Sequence, residues 1–130
     1  SGENAASRAD FTAMLARSLA GQEETGTVLP YADVEAGQWY YSPIESAWNA
    51  GWLAESDAFR PQDKITQAEA QEILDAAAAA YGLSRSWTEA CVAEAMEAQA
   101  ASGLELPEGQ VSRGAAASMA AALVEEVYGS

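Results

Sequence analysis

Three short segments of this chain place a Ser or Thr before a basic or amide residue, a small residue and, in two copies, an acid. This helix-start motif occurs as Ser7-Arg8-Ala9-Asp10, Thr66-Gln67-Ala68-Glu69 and Ser112-Arg113-Gly114-Ala115. A Ser or Thr followed three positions later by an acid can satisfy the free N–H groups at a helix start, so the motif predicts capped helices. Capping does not explain the arginines, because a cation in the first turn opposes the helix dipole. Arg8 and Arg113 therefore require another chemical role.

A second chemical resource is a group of aromatic side chains in the middle of the chain. Its members are Tyr31, Trp39, Tyr40, Tyr41, Trp48 and Trp52. Exposed aromatic faces can stack on sugar rings, whereas buried ones pack in a core. Trp48 shares a predicted helix face with Ile44 and Ala47, which favours the core. Trp39 precedes that helix and is the better candidate for a binding groove.

Catalytic chemistry has little support in the composition. The chain has no histidine, which excludes Ser-His-Asp and Cys-His arrangements and histidine-ligated metals within it. The carboxylate pairs Glu23-Glu24 and Glu125-Glu126 could act as acid and base, but a predicted loop and a helix end favour simple solvation. Four acids are conceivable calcium ligands, namely Asp33, Glu35, Asp57 and Asp63, yet no Asp-x-Asp-x-Asp-Gly loop is present. We therefore expect no enzymatic activity, no metal and no cofactor.

Charge and length narrow the class of protein further. Twenty acids against six bases give a net charge of -14, which disfavours nucleic acid as a partner because the phosphates would be repelled. A hydrophobic fraction of 49% over 130 residues predicts one folded domain. No apolar run approaches the ~18–20 residues that span a bilayer. Cys91 is the only cysteine, so no disulfide can form within the chain.

The elements that must position these residues are predicted to be helical. Apolar periodicity and capping signals indicate five helices, near residues 7–20, 42–50, 66–81, 87–101 and 112–128. Ser42-Pro43 predicts an N-cap followed by proline in the first helical position, and Ser86 with Glu89 predicts a further capping box. Leu74 is predicted to lie in the core. We expect an all-α fold of repeated helix–loop–helix units.

The units form a single predicted domain over 1–130. Residues of about 31–82 form the best-defined unit, preceded by a partial unit at about 3–21 and followed by a degenerate one at about 84–129. Because the chain begins in the middle of a repeat, we expect it to be a piece of a longer protein.

The middle unit carries its motifs in a defined order. They are Asp33-Val34, Trp39-Tyr40, Gly51, Phe59-Arg60-Pro61 and Ile65-Thr66-Gln67-Ala68-Glu69. This order and spacing resembles the S-layer homology domain, whose repeats carry an Asp-Val, a Trp-Tyr or Trp-Ala, a Gly closing the first helix, a Phe-x-Pro loop and a Thr-Arg-Ala-Glu helix start. The resemblance implies three units around a pseudo-threefold axis, with grooves between neighbours as candidate sites. Here the first unit lacks its opening helix.

S-layer homology repeats anchor exported proteins to the bacterial cell wall by binding an anionic secondary polysaccharide. The resemblance therefore implies an extracellular, non-catalytic module that binds such a polysaccharide in a Gram-positive-type wall. By motif position Arg8 and Arg113 would bind sugar carboxylates through their guanidinium groups, whereas Gln67 offers only neutral hydrogen bonds. Trp39 and Asp33 complete the candidate ligand-binding set. The alternative is a degenerate repeat that serves as a structural or protein–protein interaction segment of a larger surface protein.

Overall fold

A computed structural model describes residues 4–21 and 25–129 of the chain. Within these ranges the structure contains five helices and no strand. The helices are α1 (Arg8–Leu19), α2 (Tyr41–Asn49), α3 (Gln67–Ala79), α4 (Arg85–Ala101) and α5 (Arg113–Tyr128). The predicted all-α fold is confirmed, and each helix boundary lies within two residues of its predicted position.

The helix-start motifs cap α1, α3 and α5 as the sequence predicts. At α1 the Ser7 hydroxyl accepts the Asp10 N–H at 2.9 Å, and the Asp10 carboxylate accepts the Ser7 N–H at 2.8 Å. Thr66 and Glu69 form the same reciprocal pair at α3. At α5, where the acid is missing, the Ser112 hydroxyl alone accepts an amide N–H. Each cap satisfies amide groups that would otherwise lack partners.

The predicted start of α4 at Ser86 is wrong. Ser84 is the N-cap, with an extended backbone and a hydroxyl that accepts the Trp87 N–H at 3.2 Å. Gly82 has a φ of 78°, which ends the preceding helix in a left-handed turn and delivers Ser84 in the capping position. Ser86 therefore lies inside the first turn of α4.

The predicted N-cap of α2 at Ser42 is also wrong. The helix begins at Tyr41, and its N-cap residue Tyr40 makes no side-chain capping bond. The chain is already turning before the helix, since the Tyr41 N–H donates to the Gln38 carbonyl at 3.1 Å. Tyr40 consequently has helical backbone angles, with φ -87° and ψ -5°. A helix that continues from a turn has fewer free amide groups to cap.

The core lies between α1 and the helices around it, with α1 packed on α2, α3 and α5 and with α4 packed on α3 and α5. Phe11, Leu15, Ile44 and Leu74 are completely buried, which confirms Leu74 as a core residue. Each such side chain stabilises the fold by about 1.5–3 kcal/mol relative to an exposed position.

The segments that precede α1, α3 and α5 pair with one another and form what we call the hub, residues 5–7, 64–66 and 110–112. Their antiparallel bridges pair Ser7 with Lys64, Thr66 with Gln110, and Ser112 with Ala5. In every pair an N-cap residue meets the residue three positions before the next unit's helix. The hub residues Ala6, Ile65 and Val111 are completely buried. The three units are thus linked in closed cyclic order.

Candidate functional site

With the units numbered 1 to 3 along the chain, the cyclic order creates three interfaces, which we call 1–2, 2–3 and 3–1. Each places one helix-start motif beside the next. Interface 1–2 brings Arg8 to Glu69, and interface 3–1 brings Arg113 to Asp10. By the same register, interface 2–3 corresponds to Gln67 and Ala115. In the two charged interfaces, the arginine of one motif pairs with the capping acid of the following motif. This pairing between units gives Arg8 and Arg113 the role that capping within a single helix does not explain.

Arg8 is enclosed at interface 1–2. Its Nε donates to the Phe59 carbonyl at 2.8 Å, its Nη1 lies 3.1 Å from Glu69 Oε2, and its Cζ lies 4.7 Å from the centre of the Phe59 ring. The side chain is only 15% exposed. It borders a cavity of about 130 Å³ that Tyr31 and Trp52 also line. Burial lowers the pKa of Arg8, an effect that Glu69 opposes. Its Nε and Nη1 groups are thus both engaged inside the protein.

Glu69 is the centre of this polar network. Its carboxylate accepts the Thr66 N–H at 3.0 Å and contacts both Arg8 and Arg60. Burial alone would raise the pKa of Glu69, but the Thr66 amide and the two arginines outweigh it, so the pKa is lowered. The hydrogen bond to Glu69 in turn raises the pKa of Arg60. Glu69 is therefore held in its charged form by three donors.

Asp33 positions the loop that covers this network. Its two carboxylate oxygens accept the N–H groups of Phe59 and Arg60, each at 2.8 Å. These bonds hold Arg60 at a φ of 60°, a left-handed conformation that is uncommon for a residue with a side chain. Asp33 therefore acts on the loop backbone. Arg60 is a site residue that the sequence analysis missed, and its place in the Phe-x-Pro loop was the available signal.

Interface 3–1 is far more open. Arg113 Nη2 lies 3.3 Å from Asp10 Oδ2, and the Arg113 side chain is 61% exposed, against 14% for Asp10. Arg113 borders a groove of about 340 Å³ together with Asn4, Gln99 and Leu104. Gln99 also fixes the hub, since its amide binds the Gln110 carbonyl and the Ser112 N–H. Arg113 thus presents guanidinium donors to solvent beside an open groove.

Interface 2–3 lacks both the arginine and the acid of the ion pair. Gln67 replaces the arginine and Ala115 replaces the acid, while the backbone register is kept by a 2.7 Å bond from the Gln67 N–H to the Gly109 carbonyl. The missing arginine of the second motif and the missing acid of the third are therefore two halves of one ion pair. Gln67 is exposed and Ala115 is buried.

Trp39, the predicted groove residue, lies on the surface and lines neither the cavity beside Arg8 nor the groove beside Arg113. Its side chain is 53% exposed, and its ring contacts Tyr40 and the guanidinium of Arg17 in α1. Trp48 instead packs edge-on against Tyr31 at 5.8 Å and is partly buried against the core, as predicted. Nothing in the sequence distinguishes Arg17 from a solvated arginine in a last helical turn, so its contact with Trp39 is visible only in the fold.

The acids considered as catalytic groups or metal ligands are not gathered into a site among the described residues. Glu23-Glu24 lies outside the described residues, and Glu125 and Glu126 are exposed near the end of α5. Across residues 4–21 and 25–129, no group of three or more His, Cys, Asp or Glu side chains could hold a metal ion. The same part of the chain contains no helix whose length and hydropathy would let it cross a bilayer.

Comparison with known proteins finds similarity to short segments of large enzymes. An amylopullulanase from Thermoanaerobacterium thermosulfurigenes is 44% identical over 64 residues, which are 48% of this chain and 3% of the enzyme. An exoglucanase, XynX, from Acetivibrio thermocellus is 38% identical over 84 residues, which are 63% of this chain and 7% of the enzyme. An endo-1,4-beta-xylanase A from Thermoanaerobacterium saccharolyticum is 44% identical over 64 residues, which are 48% of this chain and 5% of the enzyme.

No family model matches the chain, and no solved structure matches it. The matched segments span less than a tenth of the length of each of these relatives. The relatives are named for three different activities, yet all contain a segment similar to this one.

Proposed function

We propose that this chain is a non-catalytic module that anchors a larger extracellular protein to a Gram-positive-type cell wall by binding an anionic wall polysaccharide. The observation that carries the proposal is the shared segment in an amylopullulanase, an exoglucanase and a xylanase, where it occupies 3–7% of each enzyme. A segment common to enzymes of different activity is best explained by a function that does not depend on the substrate, and attachment is such a function.

The arrangement of the units supports the same proposal. The three units close around the hub, with a cavity at interface 1–2 and an open groove at interface 3–1, and the resemblance to S-layer homology repeats implies grooves between neighbouring units. Among the three motif positions, Arg113 combines a guanidinium that is 61% exposed with an open groove. A guanidinium binds a carboxylate through two parallel hydrogen bonds and stays charged at any physiological pH. Arg113 is therefore the motif arginine that we assign to the ligand.

Arg8 has a different role in this proposal. Its side chain is 15% exposed and already binds Glu69 and the Phe59 carbonyl. A ligand carboxylate would compete for Arg8 with Glu69, which also caps α3. We therefore assign Arg8 to the assembly of interface 1–2, and Gln67 to an interface without a charged ligand-binding group.

Co-sedimentation with purified walls tests the proposal. We expect the domain to pellet with walls that carry their secondary polysaccharide and to stay in solution with stripped walls. Arg113→Gln should weaken binding by about 10- to 100-fold, since a charged hydrogen bond contributes about 1.5–3 kcal/mol. Arg85→Gln is the matched control, because Arg85 is similarly exposed at 67% and the charge change is the same.

Equal pelleting with intact and stripped walls would contradict the anchoring proposal. The alternative, a structural or protein–protein interaction segment, would then take its place. The absence of both members of the ion pair at interface 2–3 favours that alternative, because a repeat that has lost ligand-binding groups can still hold its units together through the hub.

A further inference from the structure

Arg17 and Trp39 form an exposed pair where α1 meets the entry to α2. The Arg17 Cζ lies 5.6 Å from the centre of the Trp39 ring, within the range of a cation–π contact. Tyr40, which is buried, meets the indole edge-on at 5.5 Å and 76°. The indole is thus fixed from the protein side, while 53% of its surface stays open.

Arg17 differs from the other arginines in its electrostatic partners. Arg8, Arg60, Arg85 and Arg113 each form an ion pair with a carboxylate. Arg17 forms no ion pair with any described residue, although the chain has 20 acids. Arg17 is an exposed residue. It therefore keeps its donors available for an external anion, beside a preformed aromatic surface.

We propose that Arg17 and Trp39 form a binding site for an acidic saccharide of the hexuronate type. The open part of the indole would stack on the C–H face of a pyranose ring, and the guanidinium would bind the ring carboxylate through two hydrogen bonds. The close approach of the two side chains suits a ligand whose carboxylate is attached directly to its ring. The site takes its ligand class from the proposed function, but it uses neither Arg8 nor Arg113.

The negative net charge of the domain makes a local cation such as Arg17 important for binding an anionic ligand. With a net charge of -14, the domain repels anions at long range, so an anionic saccharide needs a cation at the point of contact. Because Arg17 is not neutralised by a described carboxylate, it offers that cation without breaking an internal ion pair. Arg8 and Arg60, by contrast, both already contact the carboxylate of Glu69.

Titration of the labelled domain with trigalacturonate tests the site, with galactotriose as the neutral matched ligand. The readout is the NMR signal of the Trp39 indole N–H, assigned by its loss in Trp39→Phe. We expect trigalacturonate to shift this signal in a saturable way and galactotriose to bind at least tenfold more weakly. Raising the salt concentration should weaken binding of the acidic ligand, because the guanidinium–carboxylate contact is exposed.

Two variants separate the roles of the side chains. Arg17→Gln should lower the affinity for trigalacturonate about tenfold or more and leave galactotriose unaffected, while Trp39→Ala should lower both. Arg85→Gln controls for net charge, and unchanged unfolding midpoints establish that the variants fold. A Trp39 signal that does not move with trigalacturonate, or an Arg17→Gln variant that binds it as well as the parent, would overturn the proposal.

Wall co-sedimentation distinguishes this site from the anchoring function itself. A domain that binds trigalacturonate at Trp39 but does not pellet with walls retains the site and contradicts anchoring. A domain that pellets with walls equally well after both Arg17→Gln and Trp39→Ala, and shows no trigalacturonate shift, retains anchoring and removes the site.

Discussion

Interfaces 1–2 and 3–1 use the same motif arginine in two different ways. At interface 1–2 the Arg8 side chain is 15% exposed and contacts Glu69, the Phe59 carbonyl and the Phe59 ring. At interface 3–1 the Arg113 side chain is 61% exposed, and its ion pair is with Asp10 at 3.3 Å. The difference arises from the loop held by Asp33, which covers Arg8 but not Arg113. Position in a motif therefore sets the partner of an arginine, and its surroundings set how much of it a ligand can reach.

The energetic consequences of the two environments differ in kind. A charge that is largely removed from water is costly unless its hydrogen bonds are satisfied, so removing one member of such a network leaves its partner unpaired. An exposed ion pair competes with water and is screened by salt, and it contributes only about 0–1 kcal/mol. We therefore expect interface 1–2 to stabilise the fold and interface 3–1 to be available for binding.

The largest expected effect comes from removing each arginine in turn. Arg8→Ala should lower the free energy of unfolding by about 2–4 kcal/mol, because it deletes the stem packed on Phe59 and leaves a partly buried carbonyl and carboxylate short of a donor. Arg113→Ala should cost at most about 1 kcal/mol. Urea denaturation of both variants measures the difference, and equal costs would show that the two interfaces are equivalent.

A second, smaller difference should appear in the pH dependence of stability. The pKa of Glu69 is lowered by the Thr66 amide and two arginines, against the effect of burial. A carboxyl whose folded pKa lies below its unfolded value of about 4.3 stabilises the fold above that value and loses this contribution as the pH falls through the folded pKa. We expect the stability advantage of the parent over Glu69→Gln to be full at pH 6 and to shrink at and below pH 4.

Urea midpoints of the parent and Glu69→Gln at several pH values between 3 and 7 provide the measurement. Glu125→Gln is a suitable control, since Glu125 is exposed near the end of α5. An advantage over Glu69→Gln that stays constant across this range would show that the charge of Glu69 does not matter to interface 1–2.

Local features of this fold can be predicted from the sequence, and features that join distant segments cannot. The caps of α1 and α3 depend on residues three positions apart, and the capping motif predicts both. The pairing of Arg8 with Glu69 depends on the cyclic order in which the units close, which no local pattern encodes. The start of α2 differs from its prediction because the preceding turn, and not Ser42, controls it. Arg17 escapes prediction because only the fold brings Trp39 beside it.

The smallest expected effect concerns interface 2–3, where the comparison can be completed by restoring the missing pair. Combining Gln67→Arg with Ala115→Glu should produce a favourable coupling of about 0.5–1 kcal/mol in a double-mutant cycle, typical of a partly exposed ion pair. Ala115→Glu also adds a capping acid at α5, so Ala115→Gln, which can cap without a charge, is the matched control. If Gln67→Arg couples no more strongly to Ala115→Glu than to Ala115→Gln, the arginine and the acid do not meet across this interface. The rule that each motif arginine pairs with the capping acid of the next unit would then hold for two interfaces only. At the third interface the backbone bridge would be kept, but the side chains at positions 67 and 115 would not meet.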